Sequence, residues 1–201
     1  QLTNFITKYT LGGEIKSTKW TSNGTSLSTR FISGDKSVVG KVELNKFSHL
    51  SPCELGVYNT GQLTSLLSVL GDDIDVNLSQ SGDKFISMEF EDTNRKTKSK
   101  YMLSDLSVIP TPPALKNLPD SFELGIKVDP YFVNTFISGK GALSEAETFT
   151  ILTENGETKI VIGYASIASN RVTIPVETTK SADIEPISFN ANMFASILNA
   201  N

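Results

Sequence analysis

The feature that most constrains the fold is an internal repeat of a short strand, a polar residue and a short amphipathic helix. The strand-like segments are residues 54–59, 123–129 and 187–190. Each segment runs into apolar residues spaced three and four positions apart, which is the spacing of one helix face. These apolar residues are Leu63, Leu66, Leu67, then Phe132, Phe136, Ile137, and finally Met193, Ile197 and Leu198. The repeat predicts three strand–helix junctions of the same kind.

A residue that can cap a helix stands at each junction. Asn59 or Thr60, Asp129 and Asn190 carry side-chain oxygens that can accept hydrogen bonds from the free amides of a first helical turn. Pro130 occupies the first helical position, where a proline is favoured. We therefore predict that the three helices begin at these residues.

Leu2, Phe5 and Ile6 share a helix face and fit the helical half of a fourth copy. Between the helices, apolar and polar residues alternate as in half-buried strands, and about three such runs follow each of the first three helices. The clearest runs begin at Ile74, Ile86, Phe122, Ile160 and Val172. We predict an α+β fold of repeated β-α-β-β-β units, with mostly antiparallel sheets.

One stretch has the composition of a linker. Four of the eight prolines lie between positions 107 and 119, and proline stiffens an extended chain without donating to a sheet. We predict a domain at 1–106, a tether at 107–119 and a second domain at 120–201. The alternative is a long surface loop within a single domain.

Composition excludes several functional classes. The chain of 201 residues has a single cysteine and a single histidine, so an internal disulfide framework and a His-rich metal site are ruled out. No apolar run approaches the ~18 residues of a membrane span. Cys53 and His49 do not form a nucleophilic pair with an orienting third group, and no other constellation has the pattern of a catalytic, metal or cofactor site. We expect no enzyme activity and no cofactor.

Both ends of the sequence have helical spacing without a neighbouring strand. We expect the chain to be a fragment, with the first strand of domain 1 and the last strands of domain 2 missing.

The order of these segments resembles one family. Residues 57–73, followed by 78–81, are similar to the second repeat unit of the T-even-type bacteriophage DNA polymerase sliding clamps. The Pro-rich tether stands where those clamps cross between domains, and residues 187–193 are similar to the start of their last unit. The resemblance implies a DNA-clamp fold in which helices line a ring and antiparallel sheets lie outside.

The same resemblance implies a function without bond chemistry. Such a protein encircles double-stranded DNA independently of sequence and tethers the replicative DNA polymerase. Its implied partners are the polymerase, a clamp-loader ATPase and two further copies in a homotrimer, with no membrane, in the cytoplasm of the infected bacterial host.

The resemblance also implies three sets of site residues. The candidates for DNA contact are Lys8, Lys140, Lys16 and Lys19, with solvated surface lysines as the alternative. The candidates for the subunit interface lie on edges near 97–103 and 172–177, namely Lys98, Lys100, Tyr101, Val172, Ile174 and Glu177. The candidates for a partner-peptide pocket beside the tether are Val108, Ile109, Pro110, Pro112 and Leu115.

A second class of function stays open at this point. A β-rich structural or attachment protein of a virion would also explain polar strands and the lack of an active site. The repeat distinguishes the two hypotheses, because a virion protein has no reason to place a short helix after every fourth strand.

Overall fold

The computed structural model describes residues 1–114, 119–165, 167, 169–180 and 182–200. These described residues contain four α-helices: α1 Leu2–Thr10, α2 Thr60–Leu67, α3 Pro130–Ala142 and α4 Ala191–Asn199. The chain divides into two compact units, Gln1–Leu115 and Lys116–Asn199. The division falls inside the segment for which the sequence predicts a tether. None of the helices in the described ranges has both the length and the apolarity needed to cross a membrane.

The first unit contains two antiparallel sheets. Seven strands form them: β1 Thr18–Ser22, β2 Ser26–Ile32, β3 Val39–Asn45, β4 Cys53–Val57, β5 Ile74–Ser81, β6 Lys84–Asp92 and β7 Lys98–Met102. The first sheet has the order β3-β2-β1-β4 and the second β5-β6-β7. A single bridge between Gly56 and Ser104 joins them. Gly56 permits this approach because a Cβ there would collide with the carbonyl oxygen of Ser104.

The core of the first unit lies between its first sheet and its helices. Trp20 of β1 packs edge-on against Phe5 and Tyr9 of α1, with ring centroids 5.5 and 6.4 Å apart. Trp20 Nε1 donates to the Tyr9 hydroxyl at 3.2 Å, and that hydroxyl donates to Thr60 Oγ1 of α2 at 3.4 Å. Burial raises the pKa of the Tyr9 phenol, so it stays protonated and keeps both bonds.

The second unit contains a four-stranded antiparallel sheet and a two-stranded ribbon. Its strands are β8 Gly125–Ile126, β9 Thr148–Glu154, β10 Glu157–Ile162, β11 Val172–Pro175, β12 Thr178–Lys180 and β13 Ile187–Asn190. The sheet has the order β11-β10-β9-β13, and β12 pairs with β8. Phe136 of α3 is fully buried at ring-centroid distances of 5.1 Å from Phe149 and 4.9 Å from Phe194. This core contains α3, α4 and the helix-facing side of the sheet.

The predicted helix starts are confirmed. The side chains of Asn59, Asp129 and Asn190 accept from backbone amides three residues later, at 3.0, 2.8 and 2.8 Å, and Pro130 opens α3. Strand, cap and helix therefore recur three times. Three strands follow α1 and three follow α2 before the next such strand, whereas four strands, β9 to β12, follow α3.

One predicted strand is much shorter than expected. The alternation over 122–128 predicts a long strand, but β8 comprises two residues. Phe122 and Val128 are about half exposed, and within the described residues β8 pairs on one side with β12 alone. Alternating apolar residues give strand geometry only where neighbouring strands supply hydrogen bonds.

Candidate nucleic-acid and partner interfaces

The helix layer of each unit carries no carboxylate. None of the residues of α1, α2, α3 or α4 is Asp or Glu, although the chain contains 22 acidic residues. The exposed side chains are mainly hydroxyls and amides. They include Thr3, Asn4, Thr7, Gln62, Thr64, Ser65, Asn134, Ser138 and Asn192. Neither helix layer therefore repels a polyanion through side chains of its own.

Many of these hydroxyls are satisfied within their own helix. The hydroxyls that donate to the carbonyl oxygen four residues earlier are those of Thr7, Thr64, Ser65 and Thr135, at 2.8–3.0 Å. A hydroxyl bonded in this way presents lone pairs to the outside and does not need an external acceptor. The helix faces are consequently polar, although these four hydroxyls already donate within their own helices.

Two of the predicted DNA-contact lysines lie on helices, and their surroundings differ. Lys8 is half-buried in the last turn of α1. Lys140 is 8% exposed, and its Nζ donates to the carbonyl oxygen of Ser144 at 2.8 Å, with that of Leu143 at 3.5 Å. The Lys140 ammonium thus bonds to carbonyl groups of the two residues that directly follow α3. This geometry gives Lys140 a local structural role, and we leave it out of the DNA-facing set.

The other two predicted lysines lie beside the tether. Lys16 is exposed between α1 and β1, and its carbonyl oxygen accepts from the amide of Thr60 at 3.0 Å. Lys19 follows buried Thr18 and precedes buried Trp20 on β1. Because successive side chains of a strand point to opposite faces, Lys19 lies on the sheet face away from α1. Its Nζ donates to Thr111 Oγ1 of the tether at 3.0 Å.

The start of the tether is anchored to the first unit. Leu106–Val108 form one 3₁₀ turn, capped by the carboxylate of Asp105. Lys84 Nζ lies 2.6 Å from Asp105 Oδ2, and its hydrogen bond holds the pKa of that carboxyl well below the usual range. Of the predicted pocket residues here, Ile109 is buried and Val108 is exposed. Ile109 therefore anchors the tether and does not line an open pocket.

A groove of about 230 Å³ lies where the tether passes the end of β2. Pro110 and Pro112 line it, as the sequence predicts, together with Glu14, Ile15, Lys16, Ser17, Arg30, Phe31, Ile32 and Gly34. Leu115 lies outside the described residues. Arg30 and Phe31 were not among the residues predicted to line this pocket. Alternation along β2 was the available signal, because it assigns Arg30 to the face that Lys19 shares.

The predicted interface strands β7 and β11 both lie at sheet edges. Tyr101 and Ile174 are 3% exposed, and the Tyr101 hydroxyl accepts from the backbone amide of Asn59 at 2.9 Å. Both side chains belong to the interior of their own unit. Val172 is half-buried on β11. A contact at these edges would therefore use backbone groups more than these side chains.

The charged residues at the two edges already have partners. Lys98 Nζ lies 3.0 Å from Glu91 and Lys100 Nζ 2.8 Å from Glu89, across the β6–β7 ladder. Glu177 lies 2.9 Å from Lys127 Nζ. Each of these exposed ion pairs lies within one unit, and pairs of this kind contribute little to stability.

The fold is similar to that of a solved clamp structure. The chain superimposes on the crystal structure of PCNA from Thermococcus kodakaraensis with a TM-score of 0.67 and 12% sequence identity, covering 99% of this chain and 81% of that one. No protein-family model and no curated protein matches the sequence. The match does not favour the virion alternative. The chain thus has the mixed α+β, antiparallel DNA-clamp fold of PCNA.

Proposed function

We propose that this protein is a sliding clamp, which encircles duplex DNA and tethers a replicative DNA polymerase without catalysing a reaction. The observation that carries the proposal is the carboxylate-free helix layer on a clamp fold. In the proposed ring these helices face the DNA and the sheets lie outside. The 22 acidic residues then lie on other parts of the molecule and discourage DNA from binding elsewhere.

The contact with DNA is weak in this proposal. Lys8 is the helix-borne cation that we assign to the phosphate backbone, and hydroxyls and amides supply the remaining polar surface. A protein that neutralises few phosphates has a shallow dependence of affinity on salt. Retention then depends on closure of the ring, which leaves the protein free to slide.

Assembly and partners follow the same proposal. We assign β7 and β11 to a head-to-tail contact that closes a homotrimer. The DNA polymerase and a clamp-loader ATPase use the groove beside the tether, which Pro110 and Pro112 line. The resemblance of residues 57–73 to T-even-type phage clamps supports a phage origin and action in the cytoplasm of an infected bacterium.

The test compares retention on nicked circular DNA with retention on the same DNA after linearisation, with a clamp loader and ATP present. We expect the protein to stay on circles and to leave free ends. Equal salt-sensitive binding to both forms would show ordinary phosphate contact and contradict the proposal.

A matched pair of variants tests the helix layer. Gln62 and Gln80 are both exposed, the first on α2 and the second on β5. Gln62→Glu places a carboxylate on the proposed DNA face, at a helix start where it does not weaken the fold. We expect Gln62→Glu to lower retention on circles and Gln80→Glu to leave it unchanged. Equal effects would remove the helix layer from the proposal.

A further inference from the structure

The sequence contains two Asn-Gly pairs, Asn23-Gly24 and Asn155-Gly156. Each pair lies between two antiparallel strands, the first between β1 and β2 and the second between β9 and β10. In an Asn-Gly pair the backbone nitrogen of the glycine can approach the side-chain amide of the asparagine closely, because glycine has no Cβ to block the approach. The same reactive dipeptide therefore occurs in two surroundings that the structure allows us to compare.

The first pair is held by hydrogen bonds. Oδ1 of Asn23 accepts from the backbone amide of Thr25 at 2.9 Å, from the Thr25 hydroxyl at 3.0 Å and from the backbone amide of Ser26 at 2.7 Å. The backbone amide of Gly24 donates to Ser22 Oγ at 3.1 Å. Both groups that would have to react with each other, the Asn23 carboxamide and the Gly24 nitrogen, are thus fixed to other atoms.

The second pair lacks these contacts. Asn155 and Gly156 are both exposed, and neither the Asn155 side chain nor the Gly156 amide has a hydrogen-bond partner among the residues that the structure describes. A Cβ built on Gly156 would meet no atom within 4 Å. Their φ angles are 54° and 79°, which is the pattern of a two-residue type I′ turn. The Gly156 nitrogen and the Asn155 carboxamide are therefore free to approach each other in water.

We propose that Asn155 is a site of spontaneous deamidation, and that its hydrogen bonds protect Asn23 from the same reaction. The Gly156 nitrogen forms a bond to Cγ of Asn155, and the bond between Cγ and Nδ2 breaks. Nδ2 leaves as ammonia with the proton that the Gly156 nitrogen gives up, and a cyclic imide remains. Water then opens the imide at either of its carbonyl carbons, which leaves an aspartyl or an isoaspartyl residue with a new carboxylate.

The two products should affect the β9–β10 hairpin differently. Either carboxylate lies next to Glu154 and Glu157, which already face each other across the ladder, and Lys159 Nζ, 3.2 Å from Glu154 Oε2, is the nearby cation. In the isoaspartyl product the backbone also runs through Cβ and Cγ, so the turn becomes longer. Because turn length fixes the register of a hairpin, the isoaspartyl form should pair less well at this end of the second unit.

The test follows both sites in one sample of the whole chain, incubated at mildly alkaline pH. Trypsin cuts after Lys and Arg, so residues 20–30 and 141–159 are released as two peptides, each with one Asn-Gly pair and no other Asn or Gln. Mass spectrometry measures the deamidated fraction, and chromatography separates isoaspartyl from aspartyl peptides. A digest of fresh protein corrects for reaction during digestion. We expect Asn155 to react about tenfold faster than Asn23 or more, because the hydrogen bonds at Asn23 must break first.

The protection of Asn23 has its own controls. In urea the two rates should converge, since the hydrogen bonds are lost with the fold. Ser22→Ala removes the acceptor of the Gly24 amide, and Thr25→Val, at an exposed position, removes one donor to Asn23. We expect each variant to accelerate deamidation of Asn23 and to leave the rate at Asn155 unchanged. Circular dichroism verifies that both variants are folded.

The consequence for the hairpin is measured on aged protein. The isoaspartyl form, separated by ion exchange, should melt at a lower temperature than fresh protein. Asn155→Gly keeps a residue that adopts positive φ and removes the amide, so this variant should melt at the same temperature before and after incubation. An isoaspartyl form as stable as fresh protein would overturn the expected loss of pairing.

The remaining outcomes decide the proposal itself. Equal rates at the two sites in the folded chain, or a faster reaction at Asn23, would overturn it. A difference that persists in urea would assign the rates to the flanking sequence, and failure of both variants to accelerate Asn23 would remove its hydrogen bonds as the protection. The reaction needs water but neither DNA nor a partner, so none of these results bears on the proposed function.

Discussion

The two units join their helix pairs with different chemistry. In the first unit, a chain of hydrogen bonds runs from Trp20 through the Tyr9 hydroxyl to Thr60, and so connects β1, α1 and α2. In the second unit, Phe136 of α3 meets Phe194 of α4 at 4.9 Å, with no polar atom in the contact. The stability of a hydrogen-bonded junction depends on the alignment of donor and acceptor, whereas that of a phenylalanine junction depends on how completely the rings fill the space between the helices.

The ends of the corresponding helices differ in the same way. After α2, the carboxylate of Asp92 accepts from the amides of Gly71, Asn94 and Arg95, each at 2.8 Å. After α3, the ammonium of Lys140 donates to carbonyl oxygens. A repeated architecture therefore does not need repeated contacts. It needs each free backbone group satisfied and each apolar face covered.

The largest effect should come from the phenylalanine junction. Phe136→Ala removes a fully buried ring from the second unit, and we expect a loss of about 3–5 kcal/mol in the free energy of unfolding. The sole tryptophan, Trp20, reports the first unit. Urea denaturation should therefore show part of the far-ultraviolet dichroism lost well before Trp20 fluorescence changes. Tyr131→Ala, at a side chain 77% exposed on the same helix, is the control.

Coincident transitions in Phe136→Ala, with the Trp20 signal shifted as far as the dichroism, would contradict this prediction. They would mean that the two units unfold as one body, and that the loss cannot be assigned to the second junction alone.

The stability of the hydrogen-bonded junction in the first unit should depend on a single atom, the hydroxyl oxygen of Tyr9, more than on the volume of the side chains. Tyr9→Phe removes one oxygen and leaves the indole N–H of Trp20 buried without its acceptor. We expect a loss of about 1–3 kcal/mol, seen in the Trp20 fluorescence transition. The double variant Tyr9→Phe with Trp20→Phe removes both partners and also the sole tryptophan, so it is compared with Trp20→Phe alone by far-ultraviolet circular dichroism. If Tyr9→Phe lowered the free energy of unfolding equally in wild type and in the Trp20→Phe background, the hydrogen bond between the two side chains would not contribute to stability.

Local signals explain how much of this fold the sequence predicts. The spacing of apolar residues and the choice of cap residue depend on only three or four neighbouring positions. The capping roles of Asn59, Asp129 and Asn190 could therefore be predicted without knowledge of the fold. The clamp fold itself followed from the order of these junctions. The length of β8 could not be predicted from the sequence, because a strand extends only as far as the neighbouring strand, here β12, supplies hydrogen bonds.

The site residues were harder to predict because they depend on side-chain direction and distant partners. Lys140 lies on a predicted helix. Because it is close to the end of that helix, its ammonium reaches a backbone carbonyl oxygen that follows the helix. Lys19 was predicted as a candidate for DNA contact, and its position on β1 brings its ammonium to the hydroxyl of Thr111 in the tether. Alternation along β2 assigns Arg30 to the same face, and the register of β1 with β2 places it directly opposite Lys19.

Helix caps should give a smaller, matched effect in the two units. Asn59→Ala and Asp129→Ala each remove an acceptor for an amide of the first turn, and we expect each to lower the free energy of unfolding by about 1 kcal/mol. The exchanges Asn59→Asp and Asp129→Asn keep the acceptor and change only the charge at the helix start. They should shift stability by about 0.3–1 kcal/mol in opposite directions. If both exchanges lowered the free energy of unfolding, the shape of the cap side chain and not its charge would determine the stability of these helix starts.

The smallest effect is a loss of stability in acid, which we expect for the segment after α2 and not for the segment after α3. Three backbone amides donate to Asp92 and lower the pKa of its carboxyl, with the Arg95 amide as the main cause and the Gly71 amide next. A lowered pKa in the folded state means that the carboxylate stabilises the fold fully above the ordinary pKa of ~3.9, and that this contribution fades as the pH falls through the lowered value. Wild type should exceed Asp92→Asn in melting temperature at neutral pH, and the difference should disappear in acid. The group that bonds to the carbonyl oxygens after α3 is the ammonium of Lys140 and not a carboxylate, so that segment should show no matching loss. If wild type and Asp92→Asn kept a constant difference down to the lowest pH, the Asp92 charge would have no part in holding the segment after α2.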